Sequence, residues 1–283
     1  MKPAPFAYAK ARSLEHAIEL LGEAQAGDAR VLAGGQSLIA TLNMRLSHPA
    51  LLVDINGIGG LDRIMLKDAA LEIGALVRHA QAERSGEIAR HAPLIAQAMP
   101  HIGHPAIRNR GTFGGSIAFA DPAAELPACL VALGGEVEIA GRSGRRSVPA
   151  DDFFQGLFET ALGADEVLTA IRVPAAVAGL RFGFAEFARR HGDYAMAGLA
   201  ARARPNGSGF TDVRLAFFGV GATPLRARNA EGALARGDLD AAVSALDRDL
   251  NPPDDVQASG AVKTHLAGVL LRRVARQLAK VPA

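Results

Sequence analysis

Two short glycine-rich segments constrain this chain more than any other feature. The first, Val31-Leu32-Ala33-Gly34-Gly35-Gln36-Ser37-Leu38, joins a strand-like run, Arg30 to Ala33, to a helix predicted over about residues 37–46. The second, Arg110-Gly111-Thr112-Phe113-Gly114-Gly115-Ser116, runs on into Ala120-Asp121-Pro122-Ala123-Ala124-Glu125. Glycine lets backbone come close to an anion, and a helix start aims free N–H groups at it. Gln36 and Ser37 add side-chain donors. A lone Gly-Gly at such a junction is more often a plain turn. The Gly-x-Gly-x-x-Gly fingerprint and the phosphate-loop Gly-Lys-Ser/Thr are both absent. Two such loops on different elements can grip a diphosphate from both sides, leaving a carboxylate for ribose hydroxyls. Asp121, followed by Pro122, reads first as a helix cap. The residues therefore indicate a dinucleotide-sized anion site and no more.

Length and composition set the frame for that site. The chain has 283 residues, enough for about two domains. With 49% apolar and 21% charged residues it can bury a sizeable core. A net charge of +2, no Trp and 2 Tyr leave neither a basic footprint nor stacking platforms for nucleic acid. Arg142-Ser143-Gly144-Arg145-Arg146 reads as a solvated turn. The single cysteine, Cys129, excludes an internal disulfide and cannot ligate an iron–sulfur cluster, which needs four ligands. It stands in the apolar run Leu126 to Leu133, as a small buried hydrophobe would. No metal-ligand spacing and no nucleophile–base pair is evident, so no catalytic or metal residue is assigned. His101 and His104, flanking Gly103, read as structural or exposed. The N-terminus lacks a signal-peptide h-region and no stretch suits a membrane span, so a soluble cytoplasmic protein is expected.

Periodicity gives the organisation. Ser13 caps a helix with Leu14, Ala17, Ile18 and Leu21 on one face. With the strands Arg30 to Ala33 and Leu51 to Ile55 around the first loop, a compact βαβ unit follows. Ile64, Leu66, Leu71 and Ile73 predict a hairpin, residues 87–99 a helix, and residues 136–140 with 145–148 a second hairpin. A strand over 166–173 ends at Pro174, and residues 174–179 form the predicted domain boundary. Beyond it lie strands over 194–203 and 211–220, joined through Pro205-Asn206-Gly207-Ser208-Gly209. Helices near 229–234, 239–246 and 259–279 complete the chain. Strands and helices segregated in this way predict α+β rather than a doubly wound sheet.

Ala33-Gly34-Gly35-Gln36-Ser37-Leu38, together with Ile107-Arg108-Asn109-Arg110-Gly111-Thr112-Phe113-Gly114-Gly115-Ser116, resembles the medium subunit of molybdenum hydroxylases. That family includes the flavoprotein subunits of bacterial carbon monoxide, nicotine and caffeine dehydrogenases, and the FAD domain of xanthine dehydrogenase. The likeness extends through residues 166–174 and Arg190-His191-Gly192-Asp193-Tyr194-Ala195. It implies a PCMH-type FAD-binding domain over residues 1–177, with a small βαβ lobe (about 1–56) and a larger α+β lobe (57–177). A C-terminal domain of antiparallel sheet and helices follows over 178–283. It further implies that Val31, Leu32, Ala33, Gly34, Gly35, Gln36, Ser37 and Leu38 line the FAD pyrophosphate and the adjoining ring. Ile102 and Gly103 pack near the cofactor, and Gly111, Thr112, Gly114, Gly115 and Ser116 form the second pyrophosphate loop. Ser116 stands where the family more often has Asn. Ala118 faces the cofactor, Glu125 holds the adenosine ribose, Leu168 contacts adenine or flavin, and Tyr194 covers the flavin ring. Many relatives place a lysine near the position of Glu186, and Arg189 or Arg190 is the candidate replacement for its charge. The implied enzyme is a dimer of heterotrimers. A large molybdopterin subunit oxidises substrate, a small subunit carries [2Fe–2S] clusters, and this chain passes electrons from FAD to an external acceptor. A self-sufficient FAD reductase of the same fold and a flavin-free assembly scaffold are the alternatives.

Overall fold

The computed structural model describes residues 2–24 and 28–279, and three larger sheets organise them beside a two-stranded ribbon, Phe154–Gly156 with Glu159–Thr160. The first is parallel: strands Ala7–Lys10, Ala29–Leu32 and Leu51–Asp54 lie with the third in the middle. Ser13 caps helix Leu14–Glu23 by accepting the His16 amide, and the helix buries Ala17, Ile18 and Leu21 with Val53 and Ile55. The predicted βαβ unit is present and gains the strand Ala7–Lys10, which is mostly exposed and shows no apolar run. The helix after the first glycine segment is shorter than the predicted 37–46. It spans Leu38–Asn43, and the chain turns away at Arg45 with φ 58°.

The second sheet is antiparallel, in the order Ile64–Lys67, Ala70–Gly74, Val167–Pro174, Glu136–Gly141, Gly144–Pro149. Both predicted hairpins are there, with the strand ending at Pro174 between them. Arg145 and Arg146 belong to the edge strand rather than a solvated turn, and Arg146 pairs with Glu166 at 2.6 Å. The helix predicted over 87–99 is broken into Gly86–His91, Pro93–Ala98 and a 3-10 turn Met99–His101, because Pro93 has no N–H to continue it. Helix Glu125–Leu133 buries all nine of its residues, Cys129 among them, and ends at Gly134 with φ 63°. Being enclosed on every side, it carries no amphipathic stripe for a periodicity search to find.

The third sheet is antiparallel, in the order Arg181–Ala188, Ala195–Asn206, Gly209–Phe218, Leu225–Arg226. Its strand Arg181–Ala188 was not anticipated. One face packs Ala197, Leu199, Ala201 and Phe217 under helices Arg228–Ala235, Leu239–Asp249 and Gly260–Ala279. The other face sends Phe184, Ala200, Ala216 and Phe218 into the core that surrounds helix Glu125–Leu133. The alternation is that of strands buried on both sides. The architecture is α+β, as the segregation of elements implied.

Candidate functional site

The two glycine segments touch. A Cβ at Gly34 would collide with the carbonyl oxygen of Arg110 and lie 2.9 Å from Cα of Gly111, so the backbones meet with no room for a side chain. Gly35 follows with φ 73°, a left-handed conformation natural to glycine. Arg78 and Asn56 hold the loops together. Arg78 Nη1 donates to the Arg110 carbonyl, and Nη2 donates to Asn56 Oδ1 at 2.6 Å. Asn56 Nδ2 donates in turn to the Ala33 carbonyl at 2.8 Å, so one chain of bonds runs from the second loop to the first. Asp54 orients Asn56 (2.7 Å) and accepts the Tyr8 hydroxyl at 2.6 Å. Sequence reasoning missed both Arg78 and Asn56. Neither lies in a glycine segment, and a lone Arg and a lone Asn after a strand carry no pattern.

The loops differ in their free donors. Among the described residues, the N–H groups of Gly34, Gly35, Gln36 and Ser37 donate to nothing. In the second loop the amides other than that of Thr112 are occupied. Gly111 donates to Ile107 O at 2.7 Å, Phe113 to Val77 O at 2.8 Å, Gly114 to Ala75 O at 3.0 Å, and Ser116 to Thr112 O at 3.1 Å. Gly115 donates to Thr112 Oγ1 at 3.2 Å, the cap of helix Phe113–Phe119. The glycines here serve close packing: a Cβ at Gly111 would lie 2.9 Å from His79 Nδ1, and one at Gly114 2.6 Å from Ala75 Cβ. The symmetrical backbone grip that the two motifs suggested is therefore one-sided. The first loop supplies amides; the second supplies shape, the Thr112 amide and the Ser116 hydroxyl.

His79 supports the second loop from beneath. It is 5% exposed, its Nε2 lies 3.0 Å from the Thr112 carbonyl, and its Nδ1 has no partner. Burial pushes it down to about 4, against the pull of the Thr112 carbonyl, so the ring is neutral. The unfolded chain takes up a proton near 6.5 that the folded chain refuses until about 4. Stability is therefore full above pH 6.5 and falls as pH drops through that window, by about 2 kcal/mol at pH 5. Denaturant unfolding between pH 5 and 7 checks this, and in His79→Leu that acid-side loss should shrink.

Arg108 fixes the Ile102–Gly103 turn, donating to both carbonyls at 3.1 and 2.9 Å while its Nε pairs with Glu83 at 2.9 Å. Gly103 has φ 54°, and its carbonyl abuts Gly192, where a Cβ would come within 2.8 Å. That contact brings the segment containing Tyr194 beside the turn. Tyr194 is 59% exposed and within electrostatic reach of Asp121 and Glu125. Ser116 and Ala118 are half-buried on helix Phe113–Phe119, and Val31, Leu32, Ala33 and Leu38 are half-buried around the first loop. Leu168 lies inside the core at 4% exposure. Asp121 does not cap a helix: its Oδ1 accepts the Ala123 amide at 2.9 Å and closes a turn, and the helix begins at Glu125 behind Ala124. Glu125 is 8% exposed; burial, then the charge of Glu186, pushes its carboxyl up to about 8. His101 is not a bystander, for its Nδ1 lies 3.2 Å from Glu186 Oε1. Arg189 reaches the Val256 and Gln257 carbonyls instead of supplying charge beside Glu186.

These residues fit an FAD. Four consecutive unpaired amides meet the needs of a diphosphate where the first loop touches the second, and Ser116 on the helix that follows the second loop adds a half-buried hydroxyl. No group of three or more His, Cys, Asp and Glu able to hold a metal occurs among the described residues. No helix among them is long and apolar enough to cross a membrane.

Comparison with known proteins agrees. Residues 4–176 match the family described as FAD binding domain in molybdopterin dehydrogenase, and residues 182–278 the CO dehydrogenase flavoprotein C-terminal domain. The 6-hydroxypseudooxynicotine dehydrogenase complex subunit alpha of Paenarthrobacter nicotinovorans is 40% identical, over 99% of this chain and 95% of its own length. The nicotine 6-hydroxylase medium subunit of the same organism is 38% identical, over 96% and 97%. Among solved structures, a carbon monoxide dehydrogenase from Hydrogenophaga pseudoflava that lacks the Mo-pyranopterin moiety of its cofactor superposes with a TM-score of 0.95. It is 36% identical over 98% of each chain.

Proposed function

Because the chain belongs to the family of FAD-binding medium subunits of molybdenum hydroxylases, we propose that it is the electron-transfer station of a heterotrimeric dehydrogenase. Residues 1–177 form the FAD-binding domain in this reading, and residues 178–283 the C-terminal domain that closes over it. Bound FAD would take electrons from the [2Fe–2S] clusters of a small partner subunit and yield them to NAD⁺, a quinone, a cytochrome or O₂. The observation that carries the reading is the run of four free amides, Gly34 to Ser37, at the contact of the two loops.

Each residue has a part in that work. The Gly34–Ser37 amides oppose the diphosphate charge, and Arg78 both holds the loops in register and adds a cation beside them. Ser116 and Glu125 offer polar atoms to ribitol or ribose, while Ala118 keeps the wall between them narrow. The Gly103–Gly192 contact holds the Tyr194 segment beside the turn, from where its ring would cover the flavin and exclude water. The clusters that relay electrons fall to a partner, because one cysteine cannot ligate them, and in this reading substrate oxidation falls to a large molybdopterin subunit. A cytoplasmic dimer of heterotrimers is the expected assembly.

Native purification with a flavin, molybdenum, iron and subunit census tests the reading. One FAD per copy of this chain, with two further polypeptides carrying iron and molybdenum, is the expected result. A lone polypeptide that is active with flavin would make it a self-sufficient reductase. A folded but colourless complex would make it a scaffold.

A further inference from the structure

The ribbon Phe154–Gly156 with Glu159–Thr160 turns at a tip of unsuitable residues. Gly156 pairs with Glu159, so the loop consists of two residues, Leu157 and Phe158. Phe158 has φ 57°. Glycine or asparagine takes that conformation in a tight turn, whereas a bulky aromatic there is a genuine outlier. Burial does not offset the strain, since Leu157 is 58% exposed and Phe158 50%. A strained conformation that holds two large apolar side chains in solvent points to a contact made by the tip rather than to a need of the turn.

The neighbour of Phe158 locates that contact. Its ring meets the ring of Phe119, with centroids 5.2 Å apart and planes at 63°. Phe119 ends helix Phe113–Phe119, which buries Phe113, Gly114 and Ile117 and leaves Gly115, Ser116, Ala118 and Phe119 half-buried. Residues three and four apart are neighbours on a helix, so Phe119 stands one turn beyond Gly115 and Ser116 on the same side. Neither Phe119 nor Phe158 belongs to an apolar core among the described residues. Beyond Phe119 the chain runs to the segment of Tyr194. Gly219 donates to the Pro122 carbonyl at 2.8 Å, and a Cβ on Gly219 would lie 2.8 Å from the carbonyl oxygen of Ala195. From the second loop outward the wall therefore presents the Ser116 hydroxyl, then the two phenyl rings, then the Tyr194 segment.

We propose that Phe119 and Phe158 form an aromatic clip for the isoalloxazine ring of FAD, and that the strained tip is what brings Phe158 to it. The proposal rests on the FAD reading above and gives the ring end of the cofactor two further contacts. The diphosphate belongs with the free amides of the first loop and the ribityl chain with Ser116. The ring then falls to the stretch between Ser116 and Tyr194, where the two phenyl groups stand. Aromatic side chains hold a flat ring through stacked or edge contacts and need no hydrogen bond to do so.

Titration of the deflavinated native complex with FAD and with FMN tests the clip. Phe158→Gly is the informative variant, because glycine takes φ 57° freely. Without flavin its melting temperature should hold or rise, while its flavin affinity should fall about tenfold, the scale of one lost aromatic stack. FAD and FMN should lose alike, since both carry the isoalloxazine, and the visible band of the bound flavin should shift. Phe158→Tyr keeps the ring and should keep both affinities. Phe119→Leu retains apolar volume and should reproduce the loss and the shift. Wild-type affinity and spectrum in Phe158→Gly overturn the clip. A loss for FAD with FMN unaffected overturns the assignment to the isoalloxazine, since only FAD carries adenine. A lowered melting temperature without flavin, with the spectrum unmoved, makes the tip a structural element and overturns the proposal too. A wild-type complex that takes up no flavin defeats the FAD reading itself, a result distinct from a wild type and a variant that bind equally.

Discussion

Gly34→Val should yield a chain whose C-terminal sheet and helices fold while its FAD content drops to a small fraction of wild type. The side chain has nowhere to go, because even its Cβ collides with the Arg110 carbonyl oxygen on the facing loop. Backbone on both sides forbids relief by a rotamer change. The loops must separate, and the bond chain from Arg110 through Arg78 and Asn56 to Ala33 must stretch with them. A loss of at least tenfold in flavin affinity, roughly 1.4 kcal/mol, is a lower bound. Flavin absorbance per polypeptide, alongside far-ultraviolet circular dichroism, reads the result. Gly86→Ala is the control, since a Cβ there meets nothing within 4 Å. Wild-type occupancy in Gly34→Val would remove the loop contact from the site. Gly115→Val acts by another route: it strikes Thr112 Oγ1 at 2.6 Å and so dislodges a helix cap rather than blocking a phosphate.

Arg78→Met should weaken FAD about a hundredfold and lower the melting temperature by several degrees. Two charge-assisted hydrogen bonds disappear, and each such bond is worth roughly 1.5–3 kcal/mol. Arg78 is partly exposed, so the low end applies to each. Asn56 loses the donor to its Oδ1 as well. Arg78→Lys separates charge from geometry, since an ammonium keeps the cation but cannot bridge the two loops with a planar fork. Full affinity in Arg78→Lys would make the residue a point charge for the diphosphate and nothing more. Combining Arg78→Met with Asn56→Ala should cost less than the sum of the two, because both belong to one bond chain. Flavin titration by fluorescence quenching measures each step, and an unchanged affinity in Arg78→Met would sink the clamp.

Much of this was legible in the chain. Alternation and turn residues placed both hairpins and the long C-terminal strands, and glycine clusters located the loops that meet. The errors have physical causes. The helix over 87–99 was read through Pro93, which stops it. Helix Glu125–Leu133 has no polar face to betray its period. Asp121 followed by Pro122 looked like a cap, yet the carboxylate closes a turn three residues ahead of the helix's own N-cap, Ala124. Glycine content predicted free amides at both loops. Only the tertiary contacts of Phe113 with Val77 and Gly114 with Ala75 reveal that the second set is occupied. Arg78 with Asn56, and His101 with Glu186, are juxtapositions across long sequence separations, and a single sequence carries no record of them.

Helix Glu125–Leu133 also dictates an order of construction. Every residue of it is enclosed, and Ala200, Ala216 and Phe218 of the last sheet belong to the core around it. Synthesis runs from the N-terminus, so the helix leaves the ribosome long before Phe218 exists to cover it. Until then an apolar rod lies bare in the middle of the nascent chain, the kind of surface that draws chaperones and promotes association with other unfinished chains. Gly192 and Tyr194, which close the wall beside Gly103, arrive in that same late stretch. The wall beside Gly103 is therefore completed late: the contact that holds the Tyr194 segment forms only once residues 192–194 have emerged to meet a turn made about ninety residues earlier.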